Sequence, residues 1–283
     1  KDDKTADVVD FNSGGLIGSE IFSSYNLEEI AEKIVHRAVN KLNAVACPSG
    51  VMPVVIANNW GGIIFHEACG HSLEATSIAP KRSVFSDKLG QRIASDVVTA
   101  IDDATIPHAW GSINIDDEGT LTQRKVLIEN GILKNYMIDK FNGRRMGMPS
   151  NGSARRQDYT FIPTSRMSNT MILNGKSTKE EIIDSTPYGI YAKAIGAGCV
   201  NPATGEFNFT VDEAFLIEKG KITQQLKGVK LIGRGQDILL NIDMVGNDML
   251  YGPGYCGSIS GTIPITVGQP TIRVQGLTVG GQK

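Results

Sequence analysis

Apolar residues along this chain follow two rhythms, and the change from one to the other organises it. Residues 1 to about 25 are polar, carry Gly14, Gly15 and Gly18, and show no period; they read as a linker or a lead-in strand. From Asn26 the spacing turns helical. Leu27, Ile30, Ala31, Ile34, Val35, Ala38, Val39 and Leu42 fall on one face, and Asn26 with Glu29 makes a capping-box-like start. This helix is expected to cover a sheet. Met52 to Ala57 is a short β-branched run suited to a buried strand, and Asn58-Asn59-Trp60-Gly61-Gly62 then turns the chain into a second helix starting at Ile63.

After Pro80 the pattern favours strands. Gln91 to Ile101 is predicted as one, and Gln123 to Ile128 with Ile132 to Ile138 as a hairpin about Glu129-Asn130-Gly131. Phe141 to Thr164 is rich in Arg, Gly, Ser and Asn and lacks a hydrophobic period, which predicts a mobile loop or lid. Arg166 to Leu173 returns to strand, and Ser177 to Asp184 is a short helix with Ser177 and Glu180 as its capping box. Further strands are predicted at Gly189 to Ile195, Glu206 to Val211, Glu213 to Ile217, Ile222 to Leu226 and Thr271 to Leu277, with a short helix at Gly235 to Asn241. Gly252 to Gly257 is expected to be a tight glycine-rich loop. Together these elements predict an α+β fold dominated by extended, mostly antiparallel sheet.

Composition narrows the function. In 283 residues, 41% hydrophobic and 20% charged with a net charge of −2, there is material for one large domain or two ordinary ones and no basic surplus for nucleic acid or an anionic membrane. No apolar run approaches the roughly 20 residues of a membrane span, and Lys1-Asp2-Asp3-Lys4 is not a signal peptide, so the cytoplasm is the expected compartment. Cys47, Cys69, Cys199 and Cys256 do not suggest a disulfide framework.

The second helix carries the chemistry, on a strand of residues reading His66-Glu67-Ala68-Cys69-Gly70-His71. Two neutral imidazoles can hold Zn²⁺, and a carboxylate beside the first can act as a general base. On an ideal α-helix, however, a spacing of five residues leaves His71 about 140° around from His66. A π-type widening restores a common face, so a π-bulge or helix break between Cys69 and His71 is predicted, with Gly70 as the natural place for it. A lone histidine is more often a packed core residue, and that is the reading for His36 and His108. For His66 and His71 beside Glu67 it fails, because so much polarity on one short apolar helix needs a partner. A third ligand is required. Cys69 and Glu74 are the local options, and Cys47, Cys199, Cys256 and His108 the distant ones, with Cys256 favoured by its accessible glycine-rich surroundings.

The stretch Gly62 to Glu74 resembles the TldD/PmbA family of metallopeptidases, specifically its metal-binding TldD-like branch. The resemblance continues through Asp116-Asp117-Glu118-Gly119, Arg166-Met167-Ser168-Asn169-Thr170, Val200 to Phe209, Val229 to Gly233, Val245-Gly246-Asn247-Asp248 and Val279-Gly280-Gly281. It implies a zinc peptidase with one Zn²⁺ per chain, held by His66, His71 and Cys256, in which Glu67 is the general base on zinc-bound water. It implies flexible peptides or unfolded protein segments as substrates, and a homodimer or a heterodimer with a non-catalytic paralogue. The family's N-terminal α/β domain is expected to be absent, leaving residues 26–283 as the catalytic domain. Two features depart from the family pattern: no Lys follows two residues after Cys256, and Cys199 stands where a Gln is common. The rival expectation is a non-catalytic subunit or assembly module in which the metal is structural or absent.

Overall fold

The structure is a computed structural model and describes residues 9, 11–201 and 203–281. Its larger sheet runs, in spatial order, through Val45–Ala46, Lys221–Lys227, Glu206–Glu218, Lys230–Arg234, Ile272–Gly280, Gly50–Ile56 and Tyr188–Val200, with Ile242–Val245 paired to Ile272–Gly280. Tyr188–Val200 also pairs along Glu206–Glu218, so the path closes on itself like a barrel. Closure leaves no free edge on most of the strands in the ring and lets both long strands turn their alternate apolar residues inward, with Lys221–Lys227 and Val45–Ala46 outside it. Phe207, Phe209, Leu231, Val54, Ile190, Val274 and Leu277 are buried there. The smaller sheet is ordered Leu250–Ser258, Gly261–Gln269, Asn169–Ile172, Ala100–Asp103, Arg124–Glu129 and Ile132–Leu133. Between these strands pairing is antiparallel except at three junctions. The α+β, strand-rich architecture is therefore the one the apolar pattern predicts, and the helical segment carrying the histidines lies between the two sheets. No helix among the described residues is long and apolar enough to cross a membrane.

Four local expectations are corrected. The helix Leu27–Leu42 forms, and the Asn26 side chain accepts from the Glu29 N–H at 3.2 Å. It does not bury its apolar face. None of its residues is buried, and Val35 is 60% exposed; Ile30, Ile34, Ala38 and Leu42 are half-buried, and Arg37 Nε donates to Glu213 Oε2 of the sheet at 2.8 Å. Gln91 to Ile101 is not one strand, because the Ile93 and Ala94 N–H groups are spent on the Gly131 carbonyl rather than on a ladder; the strand is Ala100–Asp103. The capping box of Lys179–Asp184 is Thr178 with Glu181, one residue later than predicted, since Ser177 is still extended and bridged to Gly246.

The fourth correction concerns Phe141 to Thr164. Much of this segment is anchored rather than lid-like. Lys140–Met146 is a helix capped by Asp139, and Ala154–Arg155 pairs with Thr164–Ser165. Its anchors are buried polar side chains: Asn151 Oδ1 accepts from Ile138 N at 2.8 Å, and Asp116 Oδ2 from Ala154 N at 3.0 Å. Such side-chain-to-backbone bonds leave no hydrophobic period to read.

Candidate metal centre

The chain enters the centre from the buried strand Gly50–Ile56, through a single turn at Asn59–Gly62 and a helical start at Ile63–Phe65. It then widens. His66–Gly70 is a π turn in which the His71 N–H donates to the His66 carbonyl, the i to i+5 bond that the five-residue spacing calls for. The two imidazoles consequently share a face, with ring centroids 5.1 Å apart and planes at 83°. Gly70 sits where expected but for another reason. Its backbone is ordinary right-handed helix at φ −56 and ψ −53, and a Cβ there would lie 2.2 Å from Met167 Sδ. Glycine is present for room.

Cys256 arrives from the other sheet. It lies on Leu250–Ser258, a strand rather than the predicted loop, opposite Ile263 of Gly261–Gln269. Its Sγ is 3.3 Å from His71 Nε2. One donor atom each from His66, His71 and Cys256 lie within 4.8 Å of one another, the only such grouping of three metal-type donors among the described residues. The remaining candidates stay outside it. Cys69 is fully buried with its Sγ toward the Gly235 carbonyl, and burial pushes its thiol far up. Cys47 is likewise buried and pushed up to about 11. Cys199 is exposed, and His108 turns its Nδ1 to the Leu16 carbonyl. Glu74 meets the other nitrogen of His71, with Oε1 3.2 Å from Nδ1.

The electrostatics fit a cation. His66 is 1% exposed and neither of its ring nitrogens has a hydrogen-bond partner, an arrangement that costs about 1–3 kcal/mol unless something binds there. Burial, with His71 and Arg166 adding to it, holds His66 well below the usual imidazole range, so it presents a neutral ring. Burial pulls His71 down as well, but Glu74 and Cys256 outweigh it and raise the imidazole well above its ordinary value. Two imidazoles and a thiol are donors of the type zinc takes, and three protein donors leave a coordination position over. Glu67 is beside them, its Oε2 3.8 Å from His71 Nε2; burial, with Glu74 adding to it and His71 opposing, raises its carboxyl above the ordinary glutamate range, which makes it a better proton acceptor than an exposed carboxylate.

The sequence singled out His66, Glu67, His71 and Cys256 but not the buried ionic layer behind them. Arg166, at 1% exposure, donates from Nη2 to the Cys256 carbonyl at 2.6 Å. Asp102 takes the Lys125 ammonium at 2.9 Å and bonds from Ser168 N, Ser168 Oγ and Thr170 Oγ1. Arg155, pushed down to about 10 by burial, donates to the Met167 carbonyl. Lys125 and Arg166, charged residues inside segments that read as strand, were the available signal; Arg155, in a segment without a hydrophobic period, gave none.

A strand-rich α+β chain with a His, His, Cys donor cluster between its sheets has the makings of a metal-binding protein. Residues 49–281 match the PmbA/TldA metallopeptidase C-terminal domain, and the chain belongs to that family. It is 42% identical to a metalloprotease TldD homolog of Haemophilus influenzae over 95% of this chain and 57% of that protein. It is 29% identical to a zinc metalloprotease TldD homolog of Saccharolobus solfataricus over 92% of this chain and 58% of that protein. Among solved structures it is similar to TldE from Thermococcus kodakarensis, with a TM-score of 0.74, 25% identity and coverage of 90% of this chain and 56% of that one. The chain thus spans little more than half the length of the curated relatives it matches.

Proposed function

We propose that residues 26–283 form the catalytic unit of a zinc metallopeptidase that hydrolyses peptide bonds in flexible peptides or unfolded protein segments. The observation that carries this reading is the meeting of His66, His71 and Cys256 donor atoms within 4.8 Å with Glu67 at their side. In it, His66, His71 and Cys256 hold one zinc ion. When bound, zinc supplies Lewis-acid polarisation of the scissile carbonyl and makes water easier to deprotonate. Glu67 takes the proton from the attacking water and delivers it to the leaving amine. The edge strand Leu250–Ser258 pairs on one side with Gly261–Gln269, and an extended peptide added to its open side would run past Cys256. Exposed Tyr251 and Tyr255 supply apolar area along that edge.

The family relation supports the peptidase class, and the name of the Saccharolobus relative supports zinc. We also propose pairing with a second copy or with a non-catalytic paralogue, a reading supported by the likeness to a TldE chain. A structural zinc would have no use for a part-exposed Glu67 aimed at its ligand, and this favours the enzyme over a pure assembly module. The test is cleavage of an unstructured peptide by zinc-loaded protein, with and without a chelator. Chelator-sensitive cleavage supports the proposal, and a fully zinc-loaded protein that cleaves nothing contradicts it.

A further inference from the structure

We infer that Glu74 and Arg166 are positioning residues for the metal ligands: Glu74 sets the face His71 presents, and Arg166 ties the strand bearing Cys256 to the same point. The inference rests on the zinc reading above and assigns roles to two residues that bind no metal themselves.

His71 stands between two groups of partners. Its Nε2 faces Cys256 Sγ at 3.3 Å and Glu67 Oε2 at 3.8 Å, whereas its Nδ1 faces Glu74 Oε1 at 3.2 Å. Glu74 is not a loose neighbour. It is 4% exposed and ends the histidine helix in extended geometry at ψ 132. The backbone on both sides of it is clamped, because Met137 N donates to the Leu73 carbonyl and Ala75 N donates to the Met137 carbonyl. A carboxylate fixed at that nitrogen favours the tautomer with hydrogen on Nδ1 and the lone pair on Nε2, which points to the donor cluster.

Arg166 connects this point to the other sheet. Its Nη1 donates to Ser260 Oγ at 2.8 Å and to the Gly261 carbonyl at 3.0 Å, and its Nη2 to the Cys256 carbonyl at 2.6 Å. These acceptors surround the turn joining Leu250–Ser258 to Gly261–Gln269, so the guanidinium sets where the Cys256 strand ends. The third nitrogen, Nε, lies 4.0 Å from Glu74 Oε1. Neither of those two atoms has a hydrogen-bond partner, although both are buried. His71 Nδ1, already 3.2 Å from that carboxylate oxygen, is the group placed to donate to it. One arginine and one glutamate would then hold in register two ligands 185 residues apart in sequence.

The test is zinc affinity by competition with a chromophoric chelator, alongside circular dichroism and thermal unfolding of each metal-free protein. Glu74→Gln keeps the volume and removes the charge, and is expected to weaken zinc binding about tenfold or more at unchanged stoichiometry. Arg166→Lys keeps the charge but loses the fork and is expected to weaken it comparably. A second measurement needs no variant. Long-range ¹H–¹⁵N correlation in the zinc-loaded native protein should show His71 protonated at Nδ1 with the metal shift on Nε2. Native affinity in folded Glu74→Gln, or metal on Nδ1, overturns the inference while leaving the zinc reading intact. A native protein that takes up no zinc overturns both.

Discussion

The α-carbon of Gly235 faces the carbonyl of Ala68 so closely that a Cβ added there would stand 1.9 Å from that oxygen. The helix Gly235–Asn241 therefore meets the π turn backbone to backbone, and the Cys69 thiol donates to the Gly235 carbonyl across the same contact. Nothing at this junction can yield as a flexible side chain would. Gly235→Ala should push the two elements apart and cost about 1–3 kcal/mol of stability, read by denaturant unfolding of the metal-free protein. Zinc affinity should fall with it, because the π turn sets the relation of His66 to His71.

Glu67 acts on the proton rather than on the metal in this account. Glu67→Gln should still bind one zinc with near-native affinity but lose about 100-fold or more in kcat. Metal titration and peptide cleavage on the same preparation separate the two roles. Full turnover in the zinc-loaded variant would remove Glu67 from the mechanism.

The buried layer under the centre is a stability element. Lys125 and Asp102 are 1% and 0% exposed at their side chains and 2.9 Å apart. Lys125→Met takes away the ammonium that faces Asp102, which should cost about 3–5 kcal/mol in urea unfolding. A loss below about 1 kcal/mol would mean that the bonds from Ser168 and Thr170 suffice for the charge.

An acid-side pH dependence follows from Asp243. Burial raises its carboxyl, but the two-pronged Arg273 pair at 3.0 and 2.6 Å, with Gln275, outweighs that and leaves it below the ordinary value. A lowered folded-state value means that the unfolded chain binds the proton more readily. The contribution is thus complete above the ordinary aspartate range near 3.9 and is lost as pH falls through the folded value. Asp243→Asn should flatten the acid limb of a stability-against-pH curve without altering zinc uptake near neutrality.

Much of the centre was legible in the sequence because spacing alone makes a geometric demand. Five residues from His66 to His71 cannot share a face on an α-helix, and the chain answers with a π turn between them. Cys256 was legible as a residue but not as a position. Its glycine-rich neighbourhood suggested a loop, whereas Gly252, Gly254 and Gly257 lie within a strand, and added Cβ atoms on Gly252 and Gly254 would crowd Trp60. Segments anchored by single carboxylates and amides, such as Asp116, Asp139 and Asn151, have no periodicity to announce them. Glu74 illustrates the remaining limit. Its place three residues after His71 was visible and suggested a ligand, yet only the extended bend at Glu74 itself shows that it reaches Nδ1 rather than the donor cluster.

Zinc content reports whether His66, His71 and Cys256 are one metal site. Native protein purified without added metal would be measured by mass spectrometry beside Cys256→Ser, with circular dichroism to establish that both are folded. About one zinc per chain is expected in the native protein, and a large loss in the variant. Equal zinc in both would remove Cys256 from the site, and a folded native protein that holds no zinc and takes up none on titration would mean that the three residues are not a zinc site.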